Sequence, residues 1–371
     1  MKSTSKCSIA SGLILLVIAS LLVACAGSPQ TTPNGQENPQ NPPAGGKIKL
    51  TLGAYTTPRE AYGELIPIFQ KQWKDKTGQE VEFEESYLGS GAQSRAIVEG
   101  FEADVTALSL EADIDRVEKA GLITHDWKSV AYSGATYGGP YKGMVSTSIV
   151  AFAVRKDNPE NIQDWADLAR PGLEILTPNP KTSGGAMWNV LALYGAAKRG
   201  FVDGVAQDDD QAAQAFLLSV LNNVTVMDKA ARESITNFEK GVGDVAITYE
   251  NEVLVGQING QTYDLVIPRS TILIENPLAV VDTYVDKHGT REVAEAFVEF
   301  LFSREAQEIF ARFGLRSVDP EVAKATADRY PVVQDLFTIE YFGGWDQATP
   351  TMFGDQGIYT LTVSQIQRLN Q

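Results

Sequence analysis

Apolar residues alternate with polar ones over KIKLTLGAY at residues 47–55, a period of two that predicts a strand. The period then lengthens. TPREAYGELIPIFQKQWKDKTG, residues 57–78, carries apolar positions at helical spacing, with Pro58 in the first turn and Gly78 past the end. VEFEESY predicts the next strand, GSGAQSRAIVEGF a loop and helix, ADVTALSL a strand, and residues 112–120 a helix. The same grammar restarts at STSIVAFAVR, LEILTP, AMWNVLALYGAAKRG and DVAITYE. Strands alternating with helices in this way predict an α/β protein with mostly parallel sheets flanked by helices on both faces. Two such units are expected, joined by strands near residues 140 and 280. One domain then begins at 47–140, a second occupies 141–280, and 281–371 returns to the first and ends in C-terminal helices and a tail. No internal repeat is visible.

Three of the strand-to-helix turns carry chemistry of their own. Gly89-Ser90-Gly91 follows VEFEESYL, Ser183-Gly184-Gly185 follows ILTPNPKT, and the run MDKAARE at 227–233 follows VTV. A helix start exposes four backbone N–H groups without intrahelical partners, and glycine lets another molecule approach them closely. Such a place suits an anion. Taken singly, each turn is equally well ordinary cap and turn chemistry. GSGAQS lacks the lysine and spacing of a phosphate-binding P-loop, and no G-x-G-x-x-G fingerprint stands at these turns.

The N-terminus follows another pattern. MKSTSKCSIASGLILLVIASLLVACAG has Lys2 and Lys6, an apolar run over about residues 13–23, and small residues around Cys25. This is the layout of a secretory signal, too short to span a membrane as a helix. Leu22-Val23-Ala24-Cys25 is similar to a bacterial lipobox, so residues 1–24 are expected to be a lipoprotein signal peptide and Cys25 the acylated first residue of the mature chain. Cleavage there removes Cys7, the other cysteine, and leaves one thiol for lipid attachment. Residues 25–46, rich in Pro, Asn, Gln and Gly, predict a disordered, solvated tether.

At 371 residues, 43% hydrophobic and 21% charged, the chain is long enough for two domains. Loss of residues 1–24 takes away two lysines and no acid, so the formal charge moves from −16 to −18. Nucleic acid and anionic lipid surfaces are thereby excluded as partners, since both are bound through clustered Lys and Arg. An anion would have to be drawn by local backbone dipoles. His125 and His288, the two histidines, have no Cys or carboxylate at metal-ligand spacing, and Ser183 has no base in a recognisable motif. Asp208-Asp209-Asp210 lacks the remainder of a calcium loop and reads as a solvated loop or helix start. No metal, cofactor or catalytic residue is therefore expected, and a secreted ester hydrolase is disfavoured. Trp73, Trp127, Trp165 and Trp345 read as packing residues, and Lys181 and Arg232 as charges that shape the cleft without touching a ligand.

EADVTALSLEADID, RKDNPENIQDWADL, ILTPNPKTSGGAMWNVLALYGAA, FEKGVGDVAITYENEVL and FVEFLFSREAQEIFA, in that order, resemble the sulfate- and thiosulfate-binding proteins of bacterial ABC importers. The likeness runs from about Lys47 to about residue 345, with NPKTSGGA its most distinctive element. It implies the two-domain, type II periplasmic-binding-protein fold with a hinge, in a monomeric, extracytoplasmic, membrane-anchored lipoprotein. The protein would capture sulfate between the domains and deliver it to an ABC permease. Thiosulfate, molybdate or phosphate are the alternative ligands, and a sensor presenting its loaded form to a receptor is the alternative role. The resemblance places the ligand on the backbone N–H groups of Ser90, Gly184, Gly185 and Ala231, on the N–H and hydroxyl of Ser183, and on Tyr249. Two positions depart from the family pattern. Tyr249 stands where the family has a Trp, and Thr56 where its Y-D-P-T-R-E run has Asp.

Overall fold

The computed structural model describes residues 47–129 and 143–369. The signal segment, Cys25, the tether and the crossover expected near residue 140 lie outside them. The strands are β1 (Lys47–Tyr55), β2 (Glu80–Leu88), β3 (Val105–Ala107), β4 (Met144–Val154), β5 (Ile175–Pro178), β6 (Val224–Asp228), β7 (Val245–Tyr249), β8 (Asp264–Val266), β9 (Ser270–Val280) and β10 (Asp335–Phe337). They are ordered β2-β1-β3-β9-β4-β7-β5-β6, with β10 added on β9 and β8 on β4. The helices used below are α1 (Arg59–Thr77), α2 (Ser90–Val98), α3 (Glu111–Lys119), α4 (Gly184–Lys198), α5 (Asp210–Asn222), α6 (Ala231–Glu239), α7 (Glu250–Ile258), α8 (Asp282–His288), α9 (Arg291–Leu301) and α10 (Arg304–Arg312).

The two outer parts of this order are parallel, β2-β1-β3 on one side and β7-β5-β6 on the other. The middle is antiparallel, through β3 with β9, β9 with β4, and β4 with β7. Hydrophobic period reports the type of an element and not its direction, so this mixed centre was invisible in the chain. ADVTALSL also pairs over a shorter span than its pattern predicts. Beyond Leu108, whose N–H still donates to the Pro277 carbonyl of β9, the chain leaves the sheet, and the Ser109 N–H turns to the Ser90 hydroxyl.

Each parallel flank has its own core. Ala61, Tyr62, Leu65, Ile66, Phe69 and Trp73 recur at helical spacing on α1 and pack with Phe297 and Phe310 from α9 and α10 over β1 and β3. The helix ends at Gly78, whose φ of 76° is a left-handed conformation that favours glycine. On the other flank α4 is buried on nearly every face, with Trp188, Leu191 and Leu193 among β4, β7 and α5. Residues 335–369 cover the outer side of this second core, where Trp345 meets Trp188 edge to face at 4.7 Å. Trp73, Trp127, Trp165 and Trp345 are all buried, as packing residues should be. Asp209 caps α5 by accepting from the Ala212 N–H, so that part of the acidic run is a helix start.

His288 closes the first flank. Its Nδ1 lies 2.8 Å from Asp104 and its Nε2 2.8 Å from Glu102. Asp104, fully buried, also accepts from the Thr51 N–H and the Thr290 hydroxyl, so one carboxylate fastens β1 to the turn after α8. Burial lowers the imidazole pKa, but the two acidic hydrogen bonds outweigh it and the net shift is upward. Stability from this charge is complete below the unfolded value near pH 6.5 and is lost as pH rises through the higher folded value. In urea unfolding, His288→Gln should therefore cost more at pH 6 than at pH 9. Equal costs at the two pH values would show that the ring carries no charge in the fold.

Candidate functional site

Four strands end in turns that open helices. Gly89 precedes α2, Ser183 caps α4, Ala230 precedes α6, and Tyr249 precedes α7. The first three openings meet at Gly89. A methyl group there would fall 2.5 Å from the Thr182 carbonyl oxygen and 2.7 Å from that of Lys229, so only glycine lets the three turns approach this closely. The Ala92 N–H donates to the Thr182 carbonyl at 3.1 Å, and the Thr182 hydroxyl donates to the Lys229 carbonyl at 2.8 Å. Elements far apart in the chain are thus tied directly, helix opening to helix opening.

The glycine pair of α4 is equally crowded. A Cβ on Gly184 would lie 2.5 Å from Leu110 Cδ2 and 2.8 Å from Ser109 Oγ, and one on Gly185 would lie 2.6 Å from the Tyr249 ring. Among the described residues, the N–H groups of Ser90, Gly184, Gly185 and Ala231 donate to no carbonyl or side chain. These are four orphan donors at the positive ends of three helices. All four residues are buried.

Ser183 differs from the rest of the set. Its N–H donates to the Asn179 carbonyl at 2.9 Å, and its hydroxyl oxygen accepts from the Ala186 N–H at 3.4 Å. The hydroxyl proton is what it has left to offer. Tyr249, 1% exposed, has its hydroxyl 2.5 Å from Ser109 Oγ, and burial raises its pKa far above the usual phenol value.

Arg232 stands beside Ala231 yet is not free to serve as a counter-ion. Its guanidinium grips Glu60 of α1 with two nitrogens, reaches Glu252 of α7 at 2.7 Å and donates to the Thr57 carbonyl at 3.3 Å. Glu252 is 1% exposed, and its burial raises its pKa in spite of the arginine. Asp113, also buried, is held by the Ser90 hydroxyl and by Arg116. Lys181 is exposed. Thr56 lies next to this clamp, between Tyr55 and Thr57. Among the described residues no group of His, Cys, Asp or Glu is placed to hold a metal ion.

Sequence reasoning missed Ser109, Trp188 and the pairing of Arg232. Ser109 is wholly buried where β3 runs out, and its carbonyl accepts from Trp188 Nε1 at 2.9 Å and from Asn276 at 3.2 Å. A serine after a short buried strand is too common to mark a site, and no local pattern pairs it with a tyrosine 140 positions away.

The three openings gather neutral backbone donors on a sheet with two cores. Residues 50–316 match the bacterial extracellular solute-binding protein family, and the chain belongs to it. A sulfate-binding protein of Synechococcus elongatus is 44% identical over 337 residues, covering 91% of this chain and 90% of its own. One from Synechocystis is 42% identical over 358 residues, 96% of this chain and 97% of its own. The solved structure of the sulfate-binding protein SubI from Mycobacterium tuberculosis, 38% identical, matches with a TM-score of 0.73 over 82% of this chain and 99% of that one. The fold is the α/β fold of type II periplasmic binding proteins.

The Arg232 clamp can be tested without any ligand. Arg232→Met leaves Glu252 buried without its cation and should cost about 3–5 kcal/mol in urea unfolding at pH 8. Glu252 already binds its proton more readily folded than unfolded, so the loss should shrink as pH falls toward 5.5. An equal loss at both pH values would remove Glu252 from the explanation.

Proposed function

We propose that this chain captures sulfate at the meeting point of α2, α4 and α6 and delivers it to an ABC importer. The observation that carries the reading is the set of N–H groups on Ser90, Gly184, Gly185 and Ala231, unused among the described residues and converging from three helix openings. Hydrogen bonds to a charged group contribute roughly 1.5–3 kcal/mol each, so several offset part of the dehydration cost of a dianion. The Ser183 hydroxyl proton and Tyr249 extend the donor set. The similarity to sulfate-binding proteins supports sulfate over the other oxyanions.

Ser90 belongs to the β1–β3 flank, whereas Gly184, Gly185 and Ala231 belong to the β5–β7 flank. In the proposed mechanism these flanks are two lobes, and β4 and β9, which pair over Met144–Ile149 and Leu273–Pro277 and join β7 on one side and β3 on the other, are the hinge. Ligand binding favours closure because only the closed form satisfies both donor sets. The permease then reads closure as occupancy. Outside the described residues, Cys25 is proposed to carry the lipid that keeps the mature protein at the membrane.

Calorimetry with sulfate, thiosulfate, molybdate and phosphate tests the ligand. Sulfate should bind tightest, and a tighter phosphate complex would contradict the reading. Gly184→Leu, which fills the space against Ser109 and Leu110, should weaken sulfate roughly a hundredfold or more while circular dichroism is preserved. Unchanged affinity in that folded variant would move the site elsewhere. For the anchor, Cys25→Ser should shift the protein from the membrane fraction to the soluble one with sulfate affinity unaltered. Retention of a signal-cleaved variant in membranes would dismiss the lipid.

A further inference from the structure

Every polar atom of Ser109 is committed. Its N–H donates to Ser90 Oγ at 2.9 Å, its carbonyl accepts from Trp188 and Asn276, and its hydroxyl meets that of Tyr249 at 2.5 Å. Ser109 is 0% and Tyr249 1% exposed, so bulk solvent does not reach the pair. Two hydroxyls carry two protons, and the bond between them uses one. Among the described residues neither oxygen has a second partner, so the other proton lacks an acceptor. The pair lies against the two glycines that open α4, with Ser109 Oγ 2.8 Å from a Cβ placed on Gly184 and Tyr249 Oη 3.2 Å from one placed on Gly185.

We propose that Ser109 is a positioning residue that sets anion selectivity by turning Tyr249 into a one-way donor toward the bound oxyanion. The inference rests on the sulfate reading above. The phenol is the more acidic hydroxyl, so with an ionised oxygen nearby the strongest donor goes to the strongest acceptor, and the serine hydroxyl donates to the phenol oxygen. That accepted bond polarises the Tyr249 O–H and strengthens what it gives. It also occupies the phenol lone pair that could otherwise receive a proton from the ligand. Tyrosine, which can both donate and accept, is thereby held to the donor role, and an oxyanion that carries its own proton finds no acceptor here.

The test is calorimetric titration of the mature protein with sulfate and with hydrogen phosphate at pH 8, for wild type, Ser109→Ala, Ser109→Thr, Tyr249→Phe and the Ser109→Ala/Tyr249→Phe double variant. Unliganded melting temperatures report folding. Ser109→Ala frees the phenol to accept, so the affinity ratio of sulfate to hydrogen phosphate should fall about tenfold, and Ser109→Thr, which keeps the hydroxyl, should restore it. Tyr249→Phe should weaken sulfate roughly tenfold or more, and adding Ser109→Ala to it should cost nothing further. A ratio unchanged in Ser109→Ala, or lowered equally in Ser109→Thr, would overturn the inference while leaving sulfate binding intact. Wild-type protein that fails to bind sulfate would instead overturn the parent reading and this inference together.

Discussion

Backbone N–H groups at a helix start have no intrahelical partner, and this chain buries four of them together. That constraint organises much of the surrounding structure. Gly89 has no side chain because the carbonyls of Thr182 and Lys229 occupy the space a methyl group would need. Gly184 and Gly185 are bare because Ser109, Leu110 and the Tyr249 ring press against them. Parallel strands on each flank deliver the turns, since the C-terminal ends of such strands feed helices that start on the same side. A buried donor without a partner is costly, so such a concentration of them is best explained by an acceptor that comes from outside.

Electrostatics divides the same way. The chain is acidic overall, and Arg232, beside the α6 opening, is consumed by Glu60 and Glu252. In the proposed site the attraction for an anion comes from oriented peptide dipoles, which act at short range and need no side-chain proton. The ion pairs serve a different purpose. Arg232 joins α6 to α1 and α7, and His288 with Asp104 joins β1 to the end of α8, each fastening elements that sequence separation leaves apart. These ion pairs build the frame around the donors.

Much of this was legible in the chain. KIKLTLGAY, the α1 run with Gly78 beyond it, and the start of α4 at SGGA have local signatures, and a strand followed by Gly or Ser and then a helix is a local pattern too. Convergence of the three openings was not legible from any one turn. It depends on the sheet order, and the antiparallel β3-β9-β4-β7 centre leaves no trace in hydrophobic period. Resemblance to known proteins supplied it instead. Neither route foresaw that the Ser183 N–H is spent on Asn179, because that bond closes within the turn preceding the helix, or that Ser109 meets Tyr249, because the two come from different strands' ends.

The most direct measurement is an amide NMR titration of the protein with sulfate. The account predicts that the amide protons of Ser90, Gly184, Gly185 and Ala231 move downfield together, along one binding curve, as each acquires an anionic acceptor, while the side-chain NH resonance of Arg232 stays in place. Saturable binding that leaves those four amides unmoved, with the shifts concentrated on lysine and arginine side chains, would contradict it.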